Sequence, residues 1–370
     1  ITGVLNSELG IRFATDNLLG ETDTKIQGMG GSRVKILLDG LPLADRDATK
    51  QSLTQIDLNS VERIEIIEGP LSVMYGTDAL AGVINIITKN DFKKGENLSV
   101  TARIQEETAG NTYNAFMDDG IHNENIGINW SNNKWRAAVS ATRNDFGGFT
   151  ASEAFPSKLF KPKRQRFGGG MFGYKSSRVN AWYRLNYLNE ELLVASPMSL
   201  TTGKGLLQYY ITNRYTHQAQ MDWTVSGRLR INSALSFQDY KRNTETYTKD
   251  YTNGAVTANK SDNDIKAGFW DATPFQSWFV RNTAAWTLSS RVALQPGIDI
   301  KYDKSSGRRI EGTPSISDVS FFASADIKPV SDLTIRPGVR FTKNSKYDAP
   351  PVIPSLNAKL ALNKEFDLRA

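Results

Sequence analysis

The chain has 370 residues, with 45 Lys and Arg against 39 Asp and Glu, a net charge of +6 and no cysteine. Its hydrophobic content of 39% is too high for a disordered chain, and the lack of thiols excludes disulfides and thiolate metal sites. No apolar run nears the ~20 residues of a membrane helix; that excludes a helical membrane protein but not a β-barrel, whose strands alternate.

Residues 1–90 predict a mixed α/β unit. "SRVKILLDGLPL" reads as a strand over 33–38, closed by the Asp39-Gly40 turn signal. "DLNSVERIEIIEGP" holds a second strand over 61–67. "LSVMYGTDALAG" is a short helix or turn, and "VINIIT" is a third strand. These apolar runs are nearly continuous, as in strands covered on both faces.

From about residue 98 the pattern changes to strict alternation. "LSVTARIQ" places Leu98, Val100, Ala102 and Ile104 on one face, and "WRAAVSAT" does the same with Trp135, Ala137, Val139 and Ala141. Short connections (131–134, 175–178, 224–228, 289–291, 328–332, 363–364) alternate with long polar ones (about 105–121, 144–167, 188–208, 242–275, 303–318, 343–354). That is an up-and-down meander with tight turns at one end and large loops at the other. A soluble β-sandwich or lipocalin-like barrel is the bland alternative. About twelve strands plus a thirteenth cut at Ala370 exceed a lipocalin, and Trp130, Trp135, Tyr187, Trp223 and Trp286 end strands as interfacial girdles do. Pro296 and Pro337, each followed by Gly inside a strand, predict bulges.

The charge is uneven: residues 1–90 carry 12 acids and 8 bases, and residues 91–370 carry 27 acids and 37 bases. The bases are spread over strands and loops, not gathered on one module with interleaved aromatics, so no nucleic-acid partner is expected. His122 and His217 stand 95 residues apart with no Cys, and His217 reads as an ordinary strand residue. "GMGGSR" precedes a strand and is a turn, not a phosphate loop. No nucleophile elbow is present, and nothing points to an enzyme. The basic loop "KLFKPKRQRF" (158–167) suits anionic lipopolysaccharide or an anionic ligand.

Two segments, "GMGGSRVKILLDGLPL" and "IDLNSVERIEIIEGPLSVMYGTDALAGVINIITK", closely resemble the plug domain of TonB-dependent outer-membrane receptors. "VIPSLNAKLALNKEFDLRA" resembles their mid-barrel, and the opening "VLNSELGIRFATDNLLGETDTKIQGMGG" resembles the variant common in Bacteroidetes. The resemblance implies a membrane all-β protein: a plug over 1–90, its N-terminal part missing, and a partial transmembrane barrel over 91–370. A 22-stranded barrel is expected in the full protein, with 12–13 strands here. It implies residence in the bacterial outer membrane and import of a scarce metal chelate, iron-siderophore first, with haem or cobalamin as alternatives and a surface adhesin or phage receptor as a further one.

Energy would come from the TonB complex through a segment preceding Ile1. Outer-membrane lipid, lipopolysaccharide and a surface lipoprotein are the other expected partners. Apical plug loops at 16–25 and 43–51 would place Asn17, Asp45, Arg46 and Asp47 on the ligand, with Phe160, Tyr209, Tyr210 and Trp270 as an apolar wall. No resident cofactor is expected, apart from Ca²⁺ at Asp45 and Asp47. Many family members carry Arg before the Gly-Pro, pairing with barrel acids. Glu68 stands there in this chain, so Arg33 or Arg63 is expected to make more of the plug–barrel contact.

Overall fold

The structure, a computed structural model, describes residues 10–16, 21–43, 53–68, 72–76, 79–90, 95–150, 158–308, 310–348, 350–362 and 367–369. Two small sheets come first. Strands β1 (Ile11–Asp16), β2 (Glu21–Ile26) and β3 (Met29–Gly30) form an antiparallel sheet. Strands β4 (Val34–Leu38), β5 (Leu41–Pro42), β6 (Val61–Glu68) and β7 (Gly82–Thr88) pair in the order β5-β4-β7-β6, with β4 and β7 parallel. The continuous apolar runs of β4 and β7 are buried, as strands covered on both faces require: Ile36, Ile84 and Ile86 join Leu53 and Ile26 in one core, and Leu37 and Val83 pack with Ala79 in a second. β1 and β2 are absent from the sequence reading, because "IRFATD" and "ETDTKI" show neither an apolar run nor clean alternation.

A large antiparallel sheet follows. Its strands are β8 (Asn97–Glu107), β9 (Ile121–Ser131), β10 (Trp135–Phe146), β11 (Lys163–Lys175), β12 (Val179–Ala195), β13 (Lys204–Ser226) and β14 (Leu229–Asp250). After β15 (Val256–Ala258), which only borders β14, come β16 (Trp270–Thr287), β17 (Val292–Ser305), β18 (Ser315–Val330), β19 (Leu333–Asn344), β20 (Val352–Ala361) and β21 (Asp367–Arg369). Each strand of this thirteen-strand meander pairs with its neighbour in sequence, β15 apart. Short and long connections alternate as the sequence indicates.

The two faces separate by residue parity. On β13, Thr212, Arg214, Thr216 and Gln218 are buried inward, while Tyr215, Met221 and Trp223 are exposed outward. Tyr215 and Trp223 are eight residues apart, as are the exposed Trp278 and Trp286 of β16. At ~3.3 Å per residue and a tilt of ~40°, eight residues rise about 20 Å, close to the apolar band of an outer-membrane barrel. Trp135, packed on Phe172 and Tyr174 at 5.3 and 4.7 Å, marks the short-turn edge of this band, and Tyr187 against Tyr215 at 4.8 Å marks the other. No described helix is long and apolar enough to cross a membrane; strands make the crossing.

Two expectations are corrected. The segments 188–208 and 242–275 are not mainly loops, since β12 runs to Ala195, β13 starts at Lys204, and β14 runs to Asp250. Beyond the apolar band polar and apolar residues mix on both faces, so alternation vanishes while the hydrogen-bond ladder continues. Nor are there bulges at the prolines. Register runs unbroken through Pro296↔Ala323 and Pro337↔Leu356, and only the ladder on the other side skips two pairs. The glycines explain these positions better. Gly297 lies where an added Cβ would meet the Phe322 ring at 2.4 Å, and Gly338 where it would meet Val73 at 3.1 Å.

Candidate functional site

The inner wall of the large sheet meets the small sheets through polar contacts, and most of them end on main-chain carbonyls. Gln218 Nε2 donates to the Leu38 carbonyl (2.9 Å), Gln220 Nε2 to Asp39 (2.5 Å) and Gln238 Nε2 to Pro42 (2.8 Å). Gln165 donates to Thr54 (2.9 Å), Arg214 to Gln55 (2.6 Å), Arg184 to Lys89 (3.0 Å) and Arg136 to Asn90 (2.8 Å). With Val73 and Met74 below, nine carbonyls are held this way. A buried carbonyl paired in this way escapes the cost of an unmet hydrogen bond.

Two points carry charge. At the β4–β5 turn Asp39 adopts φ 53°, and its carboxylate accepts from the Thr88 amide (2.9 Å) and hydroxyl (2.7 Å) and from Arg184 (2.6 Å). Both side chains of this ion pair are under a tenth exposed, so the attraction and the two further hydrogen bonds must offset a large desolvation cost.

The second point is the helical turn Ser72–Tyr75. Its last carbonyls have no helical partner, and a cation meets each in succession: Arg340 on Val73 (3.3 Å), Arg281 on Met74 (3.1 Å) and Lys35 on Tyr75 (2.6 Å). Asp299 binds Arg281 with both oxygens (2.7 and 2.8 Å) and Arg340 at 3.1 Å, so the two guanidinium groups tolerate each other. Gly76 ends the turn at φ 91°, a left-handed conformation that favours glycine.

Between the plug segment 53–60 and the inner faces of β8–β11 lie two cavities of about 440 and 470 Å³. Both touch Asn59, Arg103 and Asn125. Their polar walls contrast with the closely held contacts on the β12–β19 side.

The expected residues fall in different places. Asn17, Asp45, Arg46 and Asp47 lie outside the described residues, and so does any Ca²⁺ site at Asp45 and Asp47. Tyr210 faces inward with the Arg242 guanidinium 4.6 Å above its ring. Tyr209 and Trp270 face outward and pack on Tyr247 at 5.7 Å each, so they build no inner wall. Alternation assigns these faces once the strands are known to extend this far. Phe160 bridges Phe149 at the base of its loop.

Arg33 is exposed and makes no side-chain contact with the barrel among the described residues. Arg63 pairs with Glu62 and Glu65 of its own strand, at 3.3 and 2.9 Å. Among the described residues, therefore, neither makes the expected plug–barrel contact. The cations sit on the barrel instead, as Arg184, Arg281 and Arg340. Glu68 ends β6 opposite Gly82, and its side chain lies outside the description.

The sequence reading missed this set of inward polar residues, which also includes Glu190, whose two oxygens accept from Gln55 and Gln165 at 2.6 Å each. His122 is bound to Glu106 (2.6 Å) and His217 to the outward Tyr183 (2.7 Å). Among the described residues no three or more His, Cys, Asp or Glu are grouped to hold a metal.

A plug seated on the inner wall of a large antiparallel meander, with an apolar outer band, defines the class of outer-membrane receptor barrels. Residues 1–83 match the family model "TonB-dependent Receptor Plug Domain". The iron-regulated outer membrane virulence protein of Vibrio cholerae is 38% identical over 100 residues, 24% of this chain and 15% of that protein. The vitamin B12 transporter BtuB of Vibrio vulnificus is 26% identical over 243 residues, 54% of this chain and 39% of that protein. Among solved structures, the ferric enterobactin receptor of Pseudomonas aeruginosa shares the fold with a TM-score of 0.72 at 15% identity, covering 100% of this chain and 59% of that one. The copper transporter OprC does so at 0.69 and 13%, covering 96% and 57%. Residues 1–83 belong to the plug-domain family of TonB-dependent receptors, and the protein is one of the outer membrane. It spans less than two-fifths of the length of these curated relatives.

Proposed function

We propose that the receptor containing this chain binds a scarce metal chelate, an iron-siderophore first, at the extracellular side and imports it into the periplasm. The observation that supports this most is how the plug is held. Most of its contacts with the wall are hydrogen bonds and ion pairs to turns, which can break and reform singly; its larger apolar clusters lie within the plug, and one small cluster, Leu41 with Ala234 and Phe279, crosses to the wall. A plug held in this way can shift without unfolding. Energy for the shift comes, in this reading, from the TonB complex. The likeness to an iron-regulated protein of Vibrio cholerae favours iron.

Cobalamin is the second reading, favoured by the vitamin B12 transporter that matches 54% of the chain. Haem fits less well, because neither histidine faces the interior. Uptake assays separate these readings. Full-length receptor is expressed in a strain lacking its own siderophore and cobalamin receptors, and labelled iron is offered as catecholate and hydroxamate chelates beside labelled cobalamin. Saturable iron uptake that stops when TonB is deleted is the expected result. Cobalamin uptake alone would replace iron with the second reading, and uptake indifferent to TonB would end the transporter proposal.

A further inference from the structure

A pocket of about 430 Å³ lies at the loop end of β10–β14, and residue parity puts it outside the barrel. Gln165, Glu190, Arg214 and Gln238 reach the plug, so Arg164, Glu191, Tyr209 and Lys249, of opposite parity on the same strands, point away from it. The pocket sits just above the bilayer band. Tyr187 and Tyr215 close that band, and Glu191, Leu193 and Tyr209 follow four to six residues farther along the strands. At ~3.3 Å per residue and a tilt of ~40°, that is about 10–15 Å higher, the level of lipid phosphates and sugars.

The walls are amphipathic. Leu193, Leu207, Tyr209 and Pro162 give apolar surface, and the lining holds five cations against three carboxylates. The carboxylates are already shared. Asp145 binds Arg143 (2.7 Å) and Arg166, and Arg164 bridges Asp118 (2.7 Å) and Glu191 (3.5 Å). Lys158 is paired with Asp119 at 2.6 Å. Two lysines have no carboxylate among the described residues. Lys161 donates only to the Lys158 carbonyl (2.6 Å), and the Lys249 ammonium lies 5.0 Å from the Tyr251 ring. Each ammonium has donors to spare. One lysine is on the loop after β10 and the other is near the end of β14, so a single anion between them would tie two hairpins together.

We propose that this pocket binds a phosphorylated glycolipid of the outer leaflet, with Lys161 and Lys249 taking a phosphate and the apolar wall taking the sugar or the start of the acyl chains. The site faces the membrane, not the lumen, so it serves the lipid and not the cargo. Its occupant is a structural ligand that fixes the segment 158–162 against β13 and β14.

The test uses the full-length receptor purified in detergent and native mass spectrometry of bound lipid. The probes are bisphosphorylated lipid A, the same lipid with its phosphates removed, and inorganic phosphate. Lipid A is expected to bind, and Lys161→Glu with Lys249→Glu to weaken it about tenfold or more. The dephosphorylated lipid is expected to fail, and inorganic phosphate to compete only at far higher concentration. Equal binding by wild type and variant, equal binding of the dephosphorylated lipid, or displacement by phosphate at matched concentration would each overturn the proposal. If the charge-reversed pair misfolds, Lys161→Gln with Lys249→Gln gives the same comparison. Iron uptake unchanged in a folded variant separates this site from the transport proposal.

Discussion

Asp39 takes two hydrogen bonds from Thr88 and an ion pair from Arg184, all out of water. Replacing it with Ala leaves the buried Arg184 guanidinium without a carboxylate, held by the Lys89 carbonyl and the Trp182 ring. Removing one partner of a buried pair costs about 3–5 kcal/mol, so Asp39→Ala is expected to destabilise the plug by that amount in denaturant unfolding of the detergent-solubilised receptor. The double variant Asp39→Ala/Arg184→Ala should recover part of the loss; a single-variant effect below about 1 kcal/mol would mean that the pair is effectively solvated. The Asp39-Gly40 turn was legible in the sequence. Its meeting with Arg184 was not, because no local pattern links residues 145 apart. Family resemblance pointed to plug cations at Arg33 and Arg63, while this chain carries them on the barrel.

Elements were legible where one face is apolar and the other polar, and illegible where the two kinds mix. Within the bilayer band the two-residue period gives the strands directly. Above it, β12–β14 continue as ladders with polar and apolar side chains on both sides, and the same sequence reads as loop. The first long connection, 108–120, shows what holds such a segment. Glu106 lies above Ile104, the last apolar outward residue of β8, and accepts from His122 (2.6 Å), the Phe116 amide (3.1 Å) and the Tyr113 hydroxyl (3.2 Å). Burial pushes the Glu106 carboxyl up, but these hydrogen bonds outweigh it and hold it below its ordinary value of 4.5. Burial, and then the bond to Glu106, raise the Tyr113 hydroxyl above its ordinary 10.0. The signs follow from linkage. The Glu106 contribution is present above its ordinary value and is lost as pH falls through the depressed one. The Tyr113 contribution is present below pH 10.0 and is lost as pH rises through the raised one. Hydrogen exchange of loop 108–120 is therefore expected to show least opening between those limits, and Glu106→Gln to weaken the acidic edge. An opening free energy independent of pH would contradict this clamp.

The molecule as a whole divides into a continuous sheet and smaller sheets resting on it. β13 and β14, at 23 and 22 residues, are flanked by ladders on both sides. β4 and β7 have ladders and the larger share of the buried core, to which the separate sheet of short strands β1–β3 adds Ile11 and Ile26. Native-state hydrogen exchange should rank them accordingly: β12–β14 slowest, β4 and β7 next, β1–β3 fastest. Exchange of all three groups in one step would show a single cooperative unit instead. The overall plan was legible in the sequence because each barrel strand pairs with its successor; the seat of the plug was not, since it rests on contacts between distant residues. Nine of those contacts end on carbonyl oxygens, a group every amino acid carries. The wall thus recognises the path of the plug backbone more than its side chains. Over evolutionary time, the plug's outer residues, apart from those such as Asp39 and Gln55 whose side chains bond the wall, are free to drift without answering changes in the barrel, so long as each turn keeps its shape.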